Sequence, residues 1–106
     1  MNPYRGDVAL VLDGETQHMR LTLGALAELE ESLGSDSLLA LVERFESGGF
    51  SAADLIALLL AGLRGGGLKI DRDALLAGTI GGGPMAAAQA GAQLLKRAFS
   101  VSDETV

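Results

Sequence analysis

The chain of 106 residues has no cysteine, no tryptophan and a single histidine, His18. Without thiols it can form neither a disulfide framework nor a thiolate zinc site, which suits a reducing compartment. Aromatic residues are scarce, at 4%. Basic residues are the minority, 8 against 14 acidic, and the net charge is −6. Binding nucleic acid by neutralising phosphates needs the opposite balance, so that class is excluded. Long apolar runs are missing too: Leu55 to Leu63 is the longest, about half of the ~20 residues a bilayer span needs. Pro3 and Asp7 fall where a signal peptide would place its apolar core. These absences predict a cytoplasmic protein with no membrane partner.

What the chain has in quantity is Leu, Ala and clustered Gly. Leu and Ala favour helix, while Gly48-Gly49, Gly65-Gly66-Gly67 and Gly81-Gly82-Gly83 punctuate it. Residues 8–12, Val-Ala-Leu-Val-Leu, read as a strand. Asp13-Gly14 suits a type I′ turn, which needs φ > 0 at both central positions. A two-residue loop then pairs Leu12 with Glu15, Val8 with Met19 and Asp7 with Arg20, keeping one apolar face and ending on a charge match. Thr22 is a candidate cap for a helix carrying Leu26, Leu29 and Leu33, stopped at Gly34. Ser35 or Asp36 is a candidate cap for a second helix, with Leu38, Leu41, Val42 and Phe45 on one stripe. Ser51 and Asp54 form an S-x-x-D capping pair for a third, with Phe50 placed to staple against Leu55. That helix carries Leu55, Ile56, Leu59, Leu60 and Leu63 on a wide face that Leu58 extends, Gly62 is suited to a close crossing, and Gly65 stops it. Asp71 caps a short fourth helix. Gly83-Pro84 opens the last, whose Met85, Ala88, Ala92, Leu95 and Phe99 form a coiled-coil-like seam beside Ala87 and Gly91. The fold class expected is α+β but mainly α: a single domain over 1–106, with a hairpin at 7–21, about five helices over 23–99 and a frayed tail at 100–106.

Catalytic chemistry is hard to assemble from these residues. His18 lies on the polar side of the second strand, where a cross-strand or surface role outweighs a catalytic one. Asp71 and Asp73 lack the rest of a calcium loop and fit capping better. Gly81-Gly82-Gly83 precedes a helix, where amides can bind an anion, but no Lys or hydroxyl completes a phosphate loop. No cofactor, metal or catalytic residue is expected. Glu28, Glu30 and Glu31 read as a solvated helix face, with docking of a basic partner as the alternative. The last helix's seam reads as core; exposed, it would instead serve self-association or capture of a partner helix.

Leu21 to Glu30, Leu-Thr-Leu-Gly-Ala-Leu-Ala-Glu-Leu-Glu, resembles a family of small tail proteins of gene transfer agents and tailed phages, described as tail tube or tail assembly chaperone proteins. The likeness runs through Asn2-Pro3, Arg5-Gly6, Leu12-Asp13-Gly14, Gly49-Phe50-Ser51, Asp54-Leu55-Ile56 and Ala61-Gly62-Leu63-Arg64-Gly65-Gly66, spanning residues 2–67 well. Beyond them it is loose, and rests on the Ala-rich last helix with Leu94-Leu95 and Phe99. The resemblance implies a non-enzymatic chaperone that binds the tape-measure protein during tail assembly and leaves before the particle is finished. Its implied partners are the tape-measure protein and the tail tube protein, with homo-oligomerisation as a further option. The alternatives are a structural tube or adaptor component of the tail and, behind it, a small ligand-binding domain or enzyme. Residues left over once the core is filled are the candidate binding positions: Leu39, Leu58 and Leu94, which lie off the main stripes of their helices. Arg64 joins them as a motif residue without a core role, suited to anchoring a carboxylate or capping helix-end carbonyls.

Overall fold

A computed structural model describes residues 7–99; the expected tail at 100–106 and the Asn2-Pro3 and Arg5-Gly6 segments lie outside the described residues. Strands β1 (Val8–Leu12) and β2 (Glu15–Met19) precede helices α1 (Leu23–Leu33), α2 (Leu38–Ser47), α3 (Ala52–Gly65), α4 (Arg72–Ala77) and α5 (Gly83–Phe99). The expected hairpin-then-helices order is therefore what forms.

The hairpin register is the one its turn dictates. Val8 pairs with Met19 and Leu12 with Glu15, and Asp13 and Gly14 have φ of 52° and 82°. Just beyond the ladder, Arg20 Nε donates to Asp7 Oδ1 at 2.7 Å. Period-two alternation turns Val8, Leu10, Leu12 and Met19 into the core. Two strands alone are marginal, and this pair is held by α3 and α5, which pack against it.

Residues 79–81 add a short bridge to the sheet. Leu12 bridges Ile80 in antiparallel sense. Asp13 N–H donates to Thr79 O at 2.8 Å, and Gly81 N–H donates to Val11 O at 2.9 Å. The Asp13 carboxylate also accepts from Thr79 N–H at 2.9 Å. The turn end of the β1 edge is thus covered from within the chain.

Caps fix the helix starts. Thr22, Ser51 and Asp71 cap α1, α3 and α4 as expected, and Ser51 with Asp54 makes both bonds of a capping box. For α2 the cap is Ser37, neither Ser35 nor Asp36; the hydroxyl two residues further on is the one that reaches the Ala40 amide, at 3.0 Å. Gly34 and Gly48 end α1 and α2 with positive φ. Helix α3 runs through Gly65, one residue past the expected stop, and the left-handed turn comes at Gly67. Gly83 has φ of 73°, which leaves Pro84 the first position of helical backbone.

The core gathers one face of each element around α3. Leu29, Leu41, Leu58, Leu63 and Met19 are fully enclosed. Glycine sets the closest crossings. A Cβ on Gly62 would lie 2.6 Å from Leu94 Cδ1, so α3 and α5 meet almost backbone to side chain. A Cβ on Gly65 or Gly66 would overlap the carbonyl oxygens of Arg20 and His18. The end of α3 is in this way pressed onto β2, where Arg20 N–H donates to Gly62 O at 2.9 Å.

Candidate functional site

The four candidate binding residues separate once folded. Leu58 and Leu94 are core residues, 0% and 2% exposed, and are corrected out of any surface. Both lie off the stripes the sequence suggested because small residues steer the packing. Gly91 brings α5 onto α3, so that a Cβ there would come within 3.1 Å of Leu58 Cδ2. Helix α5 therefore buries Ala87, Ala90, Gly91, Leu94 and Leu95. Leu39, by contrast, is 67% exposed on α2.

Arg64 is partly exposed, but its guanidinium is engaged inside the molecule. Its Nη1 pairs with Glu28 Oε1 at 3.0 Å and its Nε donates to the Ile70 carbonyl at 2.7 Å. It finds both a carboxylate and a carbonyl, and the carbonyl belongs to the loop before α4, not to the end of its own helix. Glu28 is drawn out of the acidic cluster by this pair, while Glu30 and Glu31 remain exposed.

Of the glycine triplet at 81–83, two amides are spent internally: Gly81 N–H on Val11 O and Gly83 N–H on Ile80 O, both at 2.9 Å. An anion cradle needs several amides aimed outward, so this loop is a sheet edge and helix cap. His18 is half-buried on β2. Among the described residues no cluster of three His, Cys, Asp or Glu could hold a metal ion.

The surface feature that stands out is a groove between α2 and α5. Val42, Phe45 and Glu46 form one wall and Ala92, Leu95, Lys96 and Phe99 the other, enclosing about 490 Å³. Its α5 wall contains Ala92, Leu95 and Phe99 of the seam read from sequence. The expectation that this seam is core holds for Leu95, whereas Met85 is 71% and Phe99 45% exposed. Turning Ala87 and Gly91 inward rotates the seam to the margin of the core, where it faces the groove. On the α2 wall, Leu39, Val42 and Glu46 sit at i, i+3 and i+7, so Leu39 continues the apolar strip by one turn. Phe45 is steadied from behind by Phe50, their rings stacked at 4.2 Å with 6° between planes.

The α2–α3 junction beside it is rigidly tied. Arg44 grips Asp54 with two bonds, 2.8 and 3.0 Å, and Asp54 also accepts from Ser51 N–H at 2.9 Å. The Arg44 hydrogen bond, helped by Ser51 and opposed by partial burial, holds the Asp54 carboxyl below the ordinary carboxylate range. No single helix among the described residues is long and apolar enough to cross a membrane.

No curated protein and no solved structure gives a match to this chain. A family model matches residues 5–101, in line with the tail-protein likeness of the sequence. By that match the chain belongs to the family described as phage tail tube protein, GTA-gp10.

Proposed function

We propose that this chain acts in tail assembly as a non-enzymatic chaperone, holding apolar helical segments of the tape-measure protein while the tail forms. The observation that carries this reading is the open α2/α5 groove, an apolar cleft flanked by helices and suited to a helix partner. Leu39, exposed one turn beyond Val42, is the candidate residue from the sequence that belongs to this surface. Support for a non-enzymatic role comes from the carboxylates: Asp13, Asp54 and Asp71 serve turns and caps. An acidic surface keeps such a helper soluble in the host cytoplasm. The test is co-expression with the tape-measure protein followed by mass spectrometry of purified particles. Co-purification with the tape-measure protein and absence from finished particles is the expected result; stoichiometric retention in particles overturns it.

A second reading, a structural component of the tail, draws its support from the family's own description as a tail tube protein. The two-stranded sheet offers little ladder with which to build a tube wall. The same particle measurement separates the two readings.

A further inference from the structure

We infer that the α2/α5 groove is the contact face of a two-fold homodimer, closed by the same groove of a second copy of this chain. The groove's walls carry opposite charge. On α2, Glu46 lines the cleft and Glu43 flanks Leu39 at i+4. The one base of that helix, Arg44, is held by Asp54 and Asp36. On α5 the charged residues are Lys96 and Arg97, and Lys96 lines the cleft. Neither Glu46 nor Lys96 has an ion-pair partner among the described residues.

A partner helix of one charge sign matches only one of the two walls. A second copy supplies both signs. A two-fold axis running along the groove lays the α2 wall of one copy over the α5 wall of its partner, because such a rotation exchanges the two sides. Glu46 and Lys96 line the same cleft, so this rotation turns each toward its opposite across the contact, twice per dimer, as an isologous contact requires. An axis across the groove would lay the acidic α2 wall on itself and the basic α5 wall on itself, and is disfavoured. Exposed ion pairs contribute little affinity and mainly select orientation. The driving force is burial of the apolar residues that line the groove, Val42 and Phe45 on α2 with Leu95 and Phe99 on α5. The pairing is a property of the chain alone and stands apart from the identity of its tail partner.

Sedimentation equilibrium on the full chain tests it. The wild type is expected at twice its monomer mass of 10.9 kDa. Glu46→Lys and Lys96→Glu are each expected to sediment as folded monomers, with circular dichroism spectra like the wild type. An equimolar mixture of the two returns to dimer, since one copy then presents only lysine at these positions and the other only glutamate. A contact within one copy cannot produce that recovery. A wild type that stays monomeric up to millimolar concentration overturns the inference. So do dimers indifferent to both reversals, single variants that fail to recover on mixing, and a dimer that appears only after residues 100–106 are removed. A monomeric chain that instead binds a synthetic lysine-rich amphipathic peptide overturns it in favour of a foreign helix.

Discussion

At the scale of single residues, glycine divides into kinds that composition does not distinguish. Gly65 and Gly66 lie against the backbone carbonyls of Arg20 and His18, and a main-chain carbonyl cannot swing aside as a side chain can. Gly65→Ala is therefore expected to destabilise the fold by about 3 kcal/mol despite alanine's better helix propensity, the upper part of the range for overpacking. Gly62→Ala meets the end of the Leu94 side chain, which has some freedom, and its cost is expected to be smaller. Gly24 meets only Thr22 Oγ1 at 3.9 Å, so Gly24→Ala is expected to be neutral or to stabilise by up to about 1 kcal/mol. Urea midpoints for the three variants check the order; a Gly65→Ala protein as stable as Gly24→Ala would contradict the contact at the end of α3. From sequence, Gly65 reads as a helix stop, which accounts for its chain position but not for the strand beneath it.

At the scale of elements, the Arg44–Asp54 pair ties the end of α2 to the start of α3. A carboxyl whose folded pKa lies below its unfolded value stabilises fully above the unfolded value, and loses that contribution as pH falls through the folded one. With Asp54 depressed, stability is expected to hold through neutral pH and to fall below about pH 4. Asp54→Asn is expected to cost about 2 kcal/mol at pH 7 through the charge-assisted bonds it weakens, and to flatten the acid limb of the stability curve. Denaturation midpoints between pH 2 and 7 measure both effects, and an unchanged acid limb in the variant would assign the pH dependence elsewhere. The strap at 79–81 offers a separate test. Asp13→Ala loses the bond to the Thr79 amide and puts alanine at positive φ. Hydrogen exchange at the Gly81 amide is expected to speed up in that variant, while the Arg20 amide, bonded to Gly62 on the other edge, keeps its protection. Elements were legible wherever the signal was local. The Asp-Gly turn set the hairpin register, and Ser51 with Asp54 set the start of α3. The strap was not legible, because Thr79-Ile80-Gly81 is too short to alternate and its partner, β1, lies nearly seventy residues upstream.

At the scale of the whole molecule, the Cα radius of gyration is 13.1 Å, close to the ~13 Å expected for a compact domain near this length. The exposed strip along α2 and α5 is thus a feature of a closely packed chain. The seam itself was legible in its spacing of three and four. Which side of it stays open was not, because that depends on Ala87 and Gly91 outcompeting Met85 and Phe99 for the close approach to α3. Leu58 and Leu94 were misread for the same reason. Leu58→Ala is expected to cost about 2–5 kcal/mol as a core truncation, whereas Leu39→Ser is expected to leave the circular dichroism spectrum unchanged and to weaken groove binding. One face serving both a second copy and a tape-measure helix makes the two occupants exclusive. Each would then lower the apparent affinity of the other by mass action. Native mass spectrometry of the chain titrated with a tape-measure segment is expected to show free dimer giving way to one-to-one complexes. A persistent species of two chains with one segment would show that the helix is taken up on another surface, and would separate the dimer contact from the chaperone site.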